Sequence, residues 1–475
     1  MALVVNKKDA SGEKNNNIDP KLLLLVKYLA KEKIIEKKIY KQDSIFDNLF
    51  YFKLKIEIKS FFGLGSSFDI STALSKAIGE SIERYISGCG DQNKDILKIS
   101  YKEAEKDYKS IYFPPVYHRY FRCGKKENQE ISKRNLELLK EKKFTWVKGK
   151  NIITGEAALL PRQLTSWMLK STDRDMQSEY LLCSSTSNGS AGYFDIETST
   201  ANSILEVIER DSFLVHWLTQ LSPDILDIKS LPDYLQNKIK IIQDKKIRVF
   251  VLDTTTNTNI PSICIVLISD YDDIPSVALS ASSDVSFYKA ISDATDEAYR
   301  SCEFLKYKSD KILDEDNFVP FTNNVDQEMR MTIWRGDKWL GRFQFFISGK
   351  VVSYQDIIKK DLQINTQNES ESENKNESRE MSSLSVIEKE LAKLGDAYYP
   401  IIYTPNNKLL KKINFVVTQA FIPACFPLYL RENLGTFDSD RLQDFYKYKK
   451  MKASDESIDV LEYKCIVNPW PHPFS

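Results

Sequence analysis

Apolar and polar positions alternate along YFKLKIEIK from Tyr51, the period of a half-buried strand. The alternation stops at FFGLGSS, where Gly63 and Gly65 predict a turn. A helical period then begins in STALSKAIGESIERYI, with Asp69 or Ser71 placed to cap its start. Upstream, Pro20 to Lys38 is helical in pattern and rich in lysine, so a surface helix is expected after a polar tail. WVKGKNIITGEAALLP reads as a hairpin, and YLLCSSTSNGSAGYF leads into a second helix, TANSILEVIERDSFLVHWL. Two apolar strands joined by a polar turn follow in IRVFVLDTTTNTNIPSICIVLISD, then a third helix from about Ser286 to Tyr307. Strands and helices interleave, which predicts a mixed α/β (α+β) class. INTQNESESENKNESREMSS, Ile364 to Ser383, is too polar to offset its ordering entropy and is expected to be a disordered insertion. Strand-like sequence resumes in INFVVTQAFIPACFPLYL. The expected organisation is therefore a tail and surface helix over 1–45 and one domain over 46–475, ending in a proline-rich tail at 469–475.

Composition narrows the function classes. The 475 residues carry 67 basic and 67 acidic side chains, so net charge argues for neither nucleic acid nor a membrane surface as partner. No secretory signal is evident at the start, and no stretch reaches the roughly 20 apolar residues of a membrane span. A cytoplasmic location is expected. The seven cysteines form no Cys-x-x-Cys pair, and their odd number fits reduced, mostly buried thiols rather than a disulfide framework. His118, His216 and His472 are far apart, which leaves little for a structural zinc site or a Ser-His-Asp hydrolase.

The remaining candidate chemistry is acidic. Glu-x-x-Glu-Arg occurs twice, as Glu80, Glu83, Arg84 and as Glu206, Glu209, Arg210, each inside a predicted helix. Positions i, i+3 and i+4 share a helix face, so each helix presents two carboxylates and a guanidinium together. The third helix contains Asp293, Glu297 and Arg300. Paired acids repel unless a cation lies between them, which points to hard metal ions with oxygen ligands at Glu80, Glu83, Glu206 and Glu209. The same residues are also satisfied by plain salt bridges, Arg84 with Glu80 and Arg210 with Glu206. The end of the chain, VNPWPHPFS, interleaves prolines with aromatics. It favours an extended conformation that can lie in a groove, or else a frayed terminus.

On FGLGSSFDISTALSKAIGESIERY, SNGSAGYFDIETSTANSILEVIERD, DATDEAYRS, FIPACFPLYLRENLGTFDSDRL and the proline-rich end, in that order, the chain resembles the YcaO family. The resemblance implies a fold in which acidic helices hold Mg2+, and Mg2+ holds the phosphates of ATP. It implies ATP-dependent cyclodehydration: a Cys, Ser or Thr side chain of a ribosomal precursor peptide attacks the preceding carbonyl, ATP phosphorylates the oxyanion, and phosphate leaves an azoline. It further implies a leader-binding ThiF-like partner, a flavin dehydrogenase in some systems, homodimerisation as a common state, and a C-terminal tail close to the site, here Pro471 and Pro473. On this resemblance Glu297 of the third helix joins the four paired glutamates in holding two Mg2+ ions, and Arg84 and Arg210 would reach phosphates or orient glutamates. The family's Gly-Lys-Gly is Gly63-Leu64-Gly65 here, and Lys76 stands where a serine is usual. Phe194 and Thr198 replace an asparagine and a glutamate, Asp293 a glutamine, and Ser475 the final proline. On this comparison Lys76 replaces the lost lysine and Glu197 the lost glutamate. The substitutions also leave open a non-catalytic scaffold, and another YcaO chemistry such as thioamidation or macroamidination.

Overall fold

The computed structural model describes residues 18–41, 44–47, 49–56, 61–113, 136–166, 178–182, 186–306, 333–356, 382–429, 439–453, 468 and 470–473. His118, three of the cysteines, and all but the last two residues of the expected insertion lie outside the described residues. So do Pro469, Phe474 and Ser475.

Helix α1 (Pro20–Lys31) precedes strands β1 (Ile35–Lys41), β2 (Phe50–Ile56) and β3 (Phe62–Ser67), which form an antiparallel three-stranded sheet in sequence order. The expected boundary at residue 45 therefore falls inside a sheet. Helix α1 is amphipathic: Val26, Leu29 and Ala30 are buried in the same core as Leu74, Ile78 and Ile82 of α2 (Ile70–Tyr85). Gly63 and Gly65 do not turn. They lie in β3 on the face against α2, where a Cβ at Gly65 would sit 2.1 Å from the Ala73 carbonyl oxygen and 2.5 Å from the Ala77 nitrogen. The glycines let strand and helix backbones touch, a second use of glycine that sequence alone does not separate from turning.

A second sheet follows in the chain: β4 (Ile96–Ser100), β5 (Ser110–Ile111), β6 (Lys143–Asn151), β7 (Ala157–Pro161) and β8 (Ser190–Tyr193). The β6–β7 hairpin is the one the sequence predicts. From β8 the chain enters α3 (Ile196–Thr219), a helix of 24 residues capped by Asp195. Beyond it come β9 (Asp224–Leu226), α4 (Asp233–Gln243), β10 (Arg248–Asp253), β11 (Ser262–Ser269), β12 (Ser276–Ser283) and α5 (Phe287–Ser301). These strands form a third sheet in the order β12-β11-β10-β9-β13, with β13 at Val351–Val352. Helix α6 (Ser383–Ala392) precedes β14 (Ile401–Tyr403) and β15 (Val416–Phe421), which complete the second sheet between β6 and β8. Helix α7 (Ser439–Ala453) follows.

Burial explains the layering. Every residue of β11 is buried. Ile263, Ile265 and Leu267 face α4 and α5, while Cys264, Val266 and Ile268 face the C-terminal half of α3. A strand covered on both sides reads as a continuous apolar run, as this one does. The N-terminal half of α3 packs Ile204 and Ile208 against Ala420 and Ile422 of the second sheet. At 1.5 Å per residue α3 is about 36 Å long, enough to span both sheets. Glu206, Glu209 and Arg210 sit at its middle, where the two sheets meet.

Candidate nucleotide and metal site

Helix phase directs each acidic motif. Asp69 accepts the Thr72 N–H at 2.7 Å and Asp195 accepts the Thr198 N–H at 2.7 Å, so both motif helices start with a side-chain cap. From α2 the residues Lys76, Glu80, Glu83 and Arg84 line a cavity of about 680 Å³. Asn202, Glu206, Glu209 and Arg210 line it from α3, and Asp296, Glu297 and Arg300 from α5. The loop Thr186–Asn188 and strand β8 close another side, and Leu22 and Leu25 of α1 reach it as well. The expected surface helix thus contributes to the wall.

The salt bridges anticipated from spacing are present, but they point into the cavity. Arg84 Nη2 lies 2.7 Å from Glu80 Oε1, and Arg84 also donates to the Phe62 carbonyl. Glu80 Oε2 accepts the Leu64 N–H, so α2 is tied to β3 through this carboxylate. Arg210 stands 3.5 Å from Glu206 and 3.4 Å from Glu209, and Arg300 stands 3.8 Å from Glu297. Asp296 is neutralised by Lys238 at 2.7 Å. Five glutamates therefore face three arginines and Lys76.

The excess of acid shows in the protonation equilibria. Burial pushes Glu206 up to about 7 and Glu209 up to about 8, against the opposing pull of Arg210. Burial, reinforced by Glu206 and Glu80, holds Glu83 well above the usual carboxylate range. A cavity that protonates its own carboxylates lacks positive charge. Its lining also contains buried oxygens that accept no hydrogen bond from a described residue: Oδ1 of Asn188 and Oγ of Ser190.

Several placements differ from expectation. Glu197 is exposed at the first turn of α3 and does not line the cavity; its charge instead acts on Glu388 of α6. Nine residues separate it from Glu206, and at about 100° per residue that is half a turn out of phase. It cannot stand in for the missing glutamate. Asp293 also lies outside the lining, paired with Lys289 at 3.3 Å. Asn202, one turn before Glu206, was missed, although its i−4 spacing was the available signal. Arg300, at i+3 from Glu297, was equally open to that test. Phe194 lines the cavity, half exposed, with its ring edge-on to Phe415 at 5.3 Å.

The tail is packed rather than frayed over its described part. Pro471, His472 and Pro473 are buried. Asn468 and Trp470 bind the end of α3, where the Asn468 N–H donates to the Leu218 carbonyl at 2.9 Å and Trp217 Nε1 donates to the Trp470 carbonyl at 3.1 Å. His472 packs edge-on against Phe213, one turn beyond Glu209, and bonds the Tyr429 carbonyl at 2.8 Å. Neither Pro471 nor Pro473 is among the described residues lining the cavity. His216 and His472 are buried among aromatics, and Cys264, Cys302 and Cys425 are buried free thiols.

This arrangement fits a bound magnesium nucleotide. Among the described residues no three His, Cys, Asp or Glu side chains come close enough to hold one ion by themselves. Mg2+ takes one or two carboxylates and completes its shell with phosphate oxygens and water, so carboxylates spread over three walls suit it better than a closed cage. The volume is within the range of small-molecule and cofactor pockets.

The chain belongs to the YcaO family: the family model described as YcaO cyclodehydratase, ATP- and Mg2+-binding, matches residues 64–424, more than half of its length. ATP and Mg2+ are thus the cofactors of the family to which it belongs. Similar solved structures include a heterocyclase in complex with substrate and cofactor, with TM-score 0.64 and 14% identity over 94% of this chain and 57% of that one. YcaO from Methanopyrus kandleri bound with AMPPCP and Mg2+ gives 0.56 at 12% identity, over 88% and 95%. The E. coli microcin synthetase McbBCD complex gives 0.50 at 13% identity, over 82% and 88%. At these identities the likeness is one of fold. The chain spans little more than half the length of that heterocyclase. No curated protein matches it in sequence. No helix among the described residues is long and apolar enough to cross a membrane.

Proposed function

We propose that this chain is the ATP- and Mg2+-dependent subunit of a peptide cyclodehydratase, forming azolines from Cys, Ser or Thr in a ribosomal precursor peptide. One observation carries the reading: Glu80, Glu83, Glu206, Glu209 and Glu297, far apart in sequence, line one cavity and are short of positive charge. Bound Mg2+–ATP would supply the phosphoryl group that turns a peptide amide oxygen into a leaving group. The chain's own part is to hold and neutralise. Glu83, Glu206, Glu209 and Glu297 would hold Mg2+ from three walls, while Glu80 positions Arg84 and the β3 backbone. Arg84, Arg210, Arg300 and Lys76 would offset phosphate charge. The tail would brace α3 through His472 and Phe213, with Pro471 and Pro473 fixing its extended course.

The microcin synthetase and heterocyclase neighbours support a precursor peptide and partner proteins as the working assembly. We assign leader binding to a ThiF-like partner and azoline oxidation to a flavin dehydrogenase. The test is reconstitution with partner and precursor, followed by mass spectrometry. ATP-dependent loss of one water per ring is expected. Tight Mg–ATP binding without any such loss, beside a partner of proven competence, would favour another YcaO chemistry. Absence of nucleotide binding would favour a scaffold.

A further inference from the structure

A further unpartnered oxygen belongs to Gln419, on the strand paired with that of Ser190. Gln419 is 2% exposed; its Nε2 donates to the Leu164 carbonyl at 3.4 Å, and its Oε1 accepts nothing. Gln419 and Ser190 are cross-strand partners of the β15–β8 pair, so their side chains leave the sheet on one face. Buried polar atoms are ordinarily hydrogen-bonded, so the unpartnered oxygens of Asn188 and Gln419, which line one small pocket, suit a polar group with a hydrogen to donate.

Gln419 lines a second, smaller cavity of about 40 Å³, together with Thr186, Asn188, Val207, Phe421 and Cys425. Thr186 and Asn188 also line the nucleotide cavity, so the two spaces adjoin. Among the described residues no charged side chain lines the smaller one, which makes it unsuited to phosphate. One water-sized group needs roughly 10–15 Å³ of such space, so about three fit. That is too small for a purine and matches the side chain of a serine, threonine or cysteine. An unpaired carbonyl oxygen calls for a donor, which a hydroxyl supplies well and a thiol weakly.

We infer that this pocket seats the reacting side chain of the peptide substrate, with Gln419 as the group that favours a hydroxyl over a thiol. The inference rests on the proposed function, because it takes a peptide as the second substrate. Seated there, the side chain lies next to the nucleotide cavity, and Gln419 accepts its hydrogen.

The test has a binding arm that needs no turnover. Crystals of the full chain with AMPPCP and Mg2+ are soaked with N-acetyl-glycyl-serinamide. The expected result is the serine side chain in the pocket, its hydroxyl bonded to Gln419 Oε1, and no such density in crystals of Gln419→Leu. Ordered water alone in the wild-type pocket overturns the inference. In the kinetic arm, Gln419→Leu is expected to lower kcat/KM for a serine-containing precursor roughly three- to tenfold, the size of one neutral hydrogen bond. Cysteine-containing precursor should be affected less, and the KM for ATP should not change. Equal loss on both peptides, or none, also overturns it. If the serine probe is seated but the reconstituted wild type cyclises no peptide, the proposed function falls and the pocket assignment stands.

Discussion

Glu206 and Glu209, raised to about 7 and about 8, set the behaviour of the site, with Glu83 raised beside them. A carboxyl raised from 4.5 to about 7 or 8 binds more protons folded than unfolded across that interval. Its contribution to stability is complete below 4.5 and is lost as pH rises through about 8. The free protein should therefore show a falling Tm between pH 6 and pH 8.5, and Mg–AMPPCP should flatten that fall by supplying the missing charge. A Tm that rises over this window without nucleotide would contradict the raised pKa values. Glu209→Gln makes permanent the neutral state that burial already favours. It should leave the free protein as stable as wild type or more so, while abolishing ATP turnover, as thermal unfolding and phosphate release would show. At this scale the sequence is informative where helical spacing applies, as for Glu80 with Glu83 and Glu206 with Glu209. Glu197 shows what proximity in sequence conceals: a neighbouring position half a turn away points elsewhere.

Helices and strands bring these residues to one place. The helix start expected at Asp69 is observed because an N-cap is a local device, complete within a few residues. The second motif helix starts earlier than its apolar pattern suggests, at Ile196, with Asp195 as its cap. The glycines of FGLGSS were readable as glycines but not as strand. Their reason, the backbone of α2, lies eight and more residues further along the chain. Gly65→Ala would place a methyl group against Ala73 and Ala77, which must separate β3 from α2. A loss of about 3 kcal/mol is expected from such overpacking, with weaker nucleotide binding because Leu64 N–H can no longer hold Glu80 in place. Denaturant unfolding and nucleotide titration of the variant check both effects.

Across the whole molecule, α3 joins two sheets and is anchored directly after its acidic motif. Asp211 follows Arg210 and is fully buried with Arg441 of α7. Arg441 Nε lies 3.0 Å from both carboxylate oxygens, and the Phe426 N–H adds a bond at 2.8 Å. Arg441 also donates to Asn257 at 2.7 Å. This pair gives the family-like segment ending in Asp-Arg-Leu a structural purpose that sequence does not express. Arg441→Met alone leaves a buried unpaired carboxylate and should cost about 3–5 kcal/mol. The double change with Asp211→Leu should recover most of that loss, and a double-mutant cycle in urea measures it. The convergence of α2, α3 and α5 was expected from the family resemblance rather than from spacing, because contacts between residues 80, 206 and 297 depend on topology.

The central claim is that these three helices form one magnesium–nucleotide site. Calorimetric titration of the full chain with Mg–AMPPCP at pH 7, in two buffers of different ionisation enthalpy, tests it most directly. The account predicts saturable binding with proton release, seen as a buffer-dependent heat, and loss of both in Glu83→Gln/Glu209→Gln. Absence of binding, or binding that releases no protons and survives the double substitution, would contradict it.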